Sequence, residues 1–188
     1  MVAAQEQFPK FTPEEYFAWE EEQELRYKYL DGEVYAISGG TVNHGQIAMN
    51  FGSILTNHLS ESDCRVLSSN VKVEVQKSKK FIYPDVSVTR SDRDQTAIDF
   101  ISHPCLIVEV LSPSTEGYDR GEKFNLYRRS DSLRDYILVN PNKIEISLYK
   151  RDDRGKWEII IYEAGNLVEL QSINLTFPIE KVFRGIKF

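Results

Sequence analysis

Cysteine is scarce in this chain. Only Cys64 and Cys105 occur in 188 residues, and they form no C-x-x-C pair, which excludes a zinc knuckle and a redox dithiol. Cys105 sits in an apolar run and reads as a small core residue, so a reducing cytoplasm is the expected compartment. A Gly-rich dinucleotide loop and a P-loop are both missing, which argues against a nucleotide-cofactor enzyme. No stretch approaches the ~18 uncharged apolar residues of a membrane helix, and Met1 to Phe11 lacks an apolar signal core. Positive charge is not in excess either. With 23 Lys and Arg against 29 Asp and Glu the formal net charge is -6, which excludes a generally basic nucleic-acid coat while leaving room for a local basic cleft.

What is present is an ordinary globular balance: 41% hydrophobic and 28% charged residues, with 10 Tyr and 10 Phe. That content builds a core, and the length suits one domain over residues 1–188, with 1–11 as a candidate flexible leader. Thr12-Pro13-Glu14-Glu15 is a helix start with a capping box, and the helix should run to about Gln23. Arg26 to Leu30 and Glu33 to Ile37 flank Asp31-Gly32, the chemistry of a tight hairpin. Asn43 with Gln46 predicts the cap of a second helix, with a stripe of Ile47, Ala48, Phe51, Leu55 and Leu59. Strands are expected at Cys64 to Leu67, Val71 to Val75, Pro84 to Thr89 and Cys105 to Leu111. Asp119 and Glu122 frame a further helix to about Ser130, followed by a strand at Asp135 to Val139. Strand, helix, strand at this spacing implies a parallel pair with a right-handed crossover. The remainder reads as an antiparallel meander. The fold class is therefore mixed α/β (α+β): a helix, three strands, a helix and a strand, with a helix-hairpin before them and the meander after.

Two acids interrupt this pattern. Asp85 follows Pro84 at the head of a short strand, and Glu109 lies inside the apolar run Leu106 to Leu111. A carboxylate there is costly unless its charge is offset. Two carboxylates on neighbouring strands with a strand carbonyl make the hard-oxygen site that magnesium prefers. The plainer alternative is that Glu109 pairs with an arginine such as Arg120 and that Asp85 is a turn residue. Lys123 is expected in the first turn of the crossover helix, near the carboxyl end of the Glu109 strand. Free amides there favour anions, and the amine could polarise a scissile phosphate. The alternative is a solvated helix lysine. Tyr127, one turn on, shares the Lys123 face.

Four stretches carry a resemblance: Tyr83-Pro84-Asp85-Val86, Leu106 to Ser114 with its Glu-Val-Leu-Ser-Pro-Ser string, Asp119 to Tyr127, and Asp135 to Val139. Together they closely resemble the Uma-type family of restriction-endonuclease relatives, over roughly Thr12 to Phe183. Tyr29-Leu30-Asp31-Gly32-Glu33 and His44 are similar to it too. The resemblance implies a PD-(D/E)XK nuclease fold, in which Asp85, Glu109 and the Val110 carbonyl would hold Mg²⁺ or Mn²⁺, with Glu33 as an additional acid or, alternatively, a surface strand residue after the turn. It also implies catalytic roles for Asp85, Glu109 and Lys123. His44, Ser112 and Tyr127 could contact substrate; the alternatives are a His44 packed at the core edge and a Tyr127 in the core. The sequence departs from the superfamily at Leu111, where a lysine is expected two residues after the acid. Lys123 would substitute if its helix turns it inward.

Lys72, Lys77, Lys79 and Lys80 form one basic group, and Arg120, Arg128, Arg129 and Arg134 another; either could meet a nucleic-acid backbone or be a solvated face. The expected function is a Mg²⁺-dependent endonuclease on DNA, a homodimer without membrane association. The alternative is a non-catalytic nucleic-acid- or protein-binding module on a degenerate nuclease fold.

Overall fold

A computed structural model describes residues 8–37, 39–75, 79–113 and 115–188. Thr12 opens α1 (Pro13–Glu20): its hydroxyl accepts the Glu15 amide while its own amide donates to the Glu15 carboxylate at 2.7 Å, a complete capping box. The hairpin of β1 (Tyr27–Leu30) and β2 (Glu33–Ala36) turns on Asp31 and Gly32, whose φ values are 50 and 96. Both lie in the left-handed region that a tight hairpin turn requires. Phe8 and Phe11, within the expected flexible leader, pack on Trp19, and the Phe11 amide donates to the Gly32 carbonyl at 2.9 Å; residues 1–7 of that leader lie outside the described residues.

The second helix, α2 (Val42–His58), is capped by Thr41 rather than Asn43. Thr41 is extended and its hydroxyl accepts the His44 amide at 3.2 Å, so Asn43 already lies inside the first turn. Ile47, Phe51 and Leu55 are fully buried, as the stripe requires. Then follow β3 (Arg65–Ser68), β4 (Lys72–Val75), β5 (Lys80–Ile82), β6 (Val86–Thr89), the short α3 (Asp92–Gln95), β7 (Phe100–Ile101) and β8 (Pro104–Val110). A continuous helical rod over 116–127 comes next, made of α4 (Glu116–Tyr118), a π-helical turn (Asp119–Lys123) and α5 (Phe124–Tyr127). The chain ends with β9 (Asp135–Val139), β10 (Glu145–Arg151), β11 (Trp157–Glu163), β12 (Leu167–Leu170) and β13 (Leu175–Pro178).

Six strands form the central sheet in the order β11-β10-β9-β8-β6-β3, with β8 and β9 parallel across the rod. Every residue of β8 and β9 is buried, as expected for strands covered on both faces. One face packs on α2 and the C-terminal segment, through Phe51, Val88, Leu106, Val108 and Phe177. The other packs on the rod and a second sheet of order β2-β1-β5-β4-β7, through Val73, Ile82, Ile107, Phe124 and Tyr136. The second sheet's outer face carries α1 in an aromatic cluster of Tyr16, Tyr27, Tyr29 and Phe81. This second sheet is the feature that strand patterning misses: β5 and β7 span three and two residues, too short to display a period. Among the described residues no helix is long and apolar enough to cross a membrane.

The hairpin turn places β1 against β5 and so orders the second sheet. Gly32→Ala introduces a Cβ at φ +96, 3.4 Å from the Phe11 carbonyl oxygen. It should destabilise the protein by about 1–2 kcal/mol, read as a lower midpoint in urea unfolding with an unchanged slope.

Candidate active site

The antiparallel register of β6 and β8 sets Val86 opposite Val108. Asp85 lies just outside β6, one residue before that pair, and so at the level of Glu109 and Val110. Asp85 is doubly held: Oδ2 accepts the Val110 amide at 2.7 Å, and Oδ1 lies 2.9 Å from Nε2 of His44, at the start of α2. Glu109 alternates with Ile107 and Leu111, which belong to the core beneath the rod. It therefore points into that layer and is only 4% exposed.

The rod supplies the cation. Lys123 Nζ lies 2.7 Å from Glu109 Oε1 and 3.5 Å from Asp119 Oδ1. Asp119 and Lys123 bound the π-helical turn, a local widening that often marks functional positions. Thr115 donates to the other Asp119 oxygen at 2.7 Å, and the Tyr136 hydroxyl donates to the Asp119 carbonyl at 2.8 Å. The lysine is not in the helix's first turn, contrary to the sequence expectation. The rod begins at Glu116, where the Ser112 carbonyl accepts the Thr115 and Glu116 amides, so the terminal amides do not surround Lys123. Nor does Arg120 answer Glu109: it pairs with Glu116 at 2.8 Å.

Burial dominates the titration of this cluster. It pushes the Glu109 carboxyl up to about 8, with Lys123 opposing and Asp85 and Asp119 adding to the rise. Lys123 is held above the usual ammonium range because Glu109 and Asp119 outweigh its burial. The hydrogen bond to Asp85 raises the His44 imidazole against the effect of burial. Burial also drives Tyr127 well above the usual phenol range. Its hydroxyl is buried without a hydrogen-bond partner, and its ring packs on Tyr136.

The structure thus brings together Asp85, Glu109, Lys123 and His44. At Val110 the group in contact with Asp85 is the amide. Glu33 stands apart on the edge strand β2, exposed, 3.9 Å from Lys10 and hydrogen-bonded by Tyr35 at 2.5 Å. Ser112 Oγ lies 2.8 Å from Thr115 Oγ1 at the entry to the rod. Of the basic groups, Lys72 pairs with Glu20 at 2.6 Å and Lys80 with Asp31, so both are engaged within the protein; Lys77 lies outside the described residues. Two members were not singled out from the sequence. By sequence Asp119 reads only as a helix-start residue. Lys28 faces Tyr118 from β1; the alternation of Lys28 with Tyr27 and Tyr29 was the available signal. Among the described residues no group of three or more His, Cys, Asp or Glu side chains stands ready to hold a metal ion.

A cleft of about 570 Å³ runs from this cluster along α2, lined by Arg26, Gly40, His44, Met49, Tyr83 and Asp85 among others. Gly40 closes tightly on the imidazole: a Cβ there would lie 2.8 Å from His44 Cγ. Asp85→Asn should lower the His44 pKa, followed by imidazole proton resonances, and Gly40→Ala should do the same by displacing the ring. Because the folded pKa is raised, the stability tied to protonated His44 is present at low pH and lost as pH rises through that pKa. Asp85→Asn should remove this dependence from the unfolding free energy.

The chain matches the model of the Uma2 family, described as "Putative restriction endonuclease", over residues 13–180. An uncharacterized protein of Synechocystis sp. is 45% identical over 181 residues, covering 96% of this chain and 95% of that one. A second uncharacterized Synechocystis protein is 28% identical over 151 residues, covering 78% and 84%. Among solved structures, one described as a putative nuclease belonging to DUF820 from Anabaena variabilis superposes with a TM-score of 0.74 at 18% identity, covering 93% of this chain and 98% of that one. That likeness establishes the shared fold, and the family match over most of the chain establishes kinship: this protein belongs to the Uma2 restriction-endonuclease-like family.

Proposed function

We propose that this protein is a Mg²⁺- or Mn²⁺-dependent endonuclease that hydrolyses phosphodiester bonds in DNA, acting as a homodimer in the cytoplasm. The observation that carries the reading is the 2.7 Å contact of Lys123 with Glu109, beside the Asp85 carboxylate that accepts the neighbouring Val110 amide at 2.7 Å. The donor chemistry fits a hard divalent cation: Asp85 and Glu109 are carboxylates, and Asp85 and Asp119 already resist ionisation of buried Glu109, a repulsion that added positive charge would relieve. Asp85, Glu109 and the Val110 carbonyl would hold the ion. When bound, it supplies charge against the negative charge that develops on the phosphoryl oxygens.

The protein's own residues do the rest. Lys123 swings its ammonium from Glu109 to a non-bridging phosphate oxygen and stabilises charge there as water attacks phosphorus in line. His44 restrains Asp85 from the α2 side. The packed rings of Tyr127 and Tyr136 wall off solvent beneath the reacting group. The outer strand β11 leaves Ile159 and Ile161 exposed, an apolar edge suited to a second copy.

A non-catalytic binding module is the second reading. It is favoured by the engagement of both acids: Lys123 occupies Glu109, while His44 and the Val110 amide occupy Asp85. A supercoiled-plasmid assay in Mg²⁺ separates the two. The wild type should nick and linearise DNA, and Asp85→Asn, Glu109→Gln and Lys123→Met should each lower the rate by about 10²-fold or more. Calorimetry should show Mg²⁺ binding that Asp85→Asn abolishes. DNA binding without cleavage in Mg²⁺ and Mn²⁺ would favour the binding module, and sedimentation at the mass of one chain would overturn the dimer.

A further inference from the structure

Lys28 sits in β1 between two tyrosines that the pleat sends the other way, into the aromatic cluster around Tyr16. Leu30, on the same face as Lys28, packs against the core that holds Phe124 and Tyr127. Lys28 therefore points into the layer between the two sheets, where Glu109 lies. Its Nζ stands 4.5 Å from the ring centre of Tyr118 in the rod and 5.5 Å from that of Tyr35 on the paired strand. Among the described residues, no carboxylate lies within ion-pair distance of Lys28, whereas Lys72, Lys80 and Lys123 are each paired with acids. Ring faces attract an ammonium without neutralising it and leave its N–H donors free. Burial and the nearby Lys123 lower its pKa against the more distant pull of Asp119, Glu109 and Glu122, so a negative group brought into direct contact would stabilise the ammonium further.

We propose that Lys28 is a second phosphate-binding residue of the site, donating to a phosphate oxygen of the nucleic-acid strand from the sheet side while Lys123 acts from the rod. The assignment rests on the nuclease reading. It deepens that reading by giving the substrate strand contacts on two opposed layers. Tyr35 and Tyr118 hold the ammonium in place through their rings.

The test is fluorescence anisotropy with a labelled duplex oligonucleotide in EDTA, across a salt series, so that no cleavage intervenes. Lys28→Met keeps the stem and removes the charge. It should weaken binding about tenfold and reduce the slope of log K against log salt by about 0.9, the value for one lost phosphate contact. Lys28→Arg should retain the wild-type slope. Should Lys28→Met melt early in circular dichroism, Lys28→Gln takes its place in the same series. Unchanged affinity and slope without the charge, while the wild type binds, overturn the Lys28 assignment and leave the nuclease reading standing. Failure of the wild type to bind duplex or single strand overturns both.

Discussion

A carboxylate buried in a strand covered on both faces is the constraint on which the rest of this structure depends. Glu109 occupies a position whose neighbours Ile107, Leu111 and Tyr136 are fully packed. Little water reaches it to support the charge. Removing the partner of such a buried ion costs on the order of 3–5 kcal/mol, so the rod that carries Lys123 must stay seated against β8. Its seating uses the π-helical turn, the Tyr136 hydroxyl on the Asp119 carbonyl and the stack of Phe124 on Tyr136 and Tyr149. Chemistry and packing here are one arrangement: the residues that keep Lys123 inward are the residues that fill the core.

The departure from the usual motif spacing has a packing explanation. A lysine two residues after Glu109 would stand at Leu111, which is 3% exposed and whose amide donates to Val139 across the parallel ladder. In this chain that position belongs to the core under the rod. The amine reaches Glu109 from the opposite layer, over a 2.7 Å contact. The π-helical turn brackets that amine and Asp119, so the two charges on the rod meet the strand acid together.

The aromatic richness serves the second sheet. Its strands are short, and its outer face is covered by Tyr16 and Phe17 of α1, which pack on Tyr29, Phe81 and Phe100, and by Trp19, which packs on Tyr27 and Phe11. Large rings cover much area per residue, so an eight-residue helix suffices to close that side. The inner face of the same sheet presents Leu30, Val73 and Ile82 to the core, and Lys28 to the site. Lys72, on the outer face, answers Glu20 instead. Two lysines of one sheet, on β1 and β4 with β5 between them, thus meet different partners, decided by which way the pleat turns them.

Much of this was legible in the amino-acid order. The capping box at Thr12, the Asp31-Gly32 hairpin, the stripe of α2 and the parallel strands at Leu106 and Tyr136 each follow from local periodicity and turn chemistry. The unbroken apolar run around Glu109 marks it as a buried acid before any fold is known. What sequence could not decide was depth and direction. The short β5 and β7 have no period of their own and exist because larger strands present edges to them. The start of the rod at Glu116, the cap at Thr41 and the pairing of Arg120 with Glu116 depend on which of several equivalent local bonds the packed chain completes. Likewise, the inward turn of Lys28 and the approach of Asp119 to Lys123 are set by contacts between layers that are distant along the chain. Local order determines which elements form, because it fixes backbone preference and the apolar face; only the tertiary structure determines which charges meet, because that depends on how those faces are stacked.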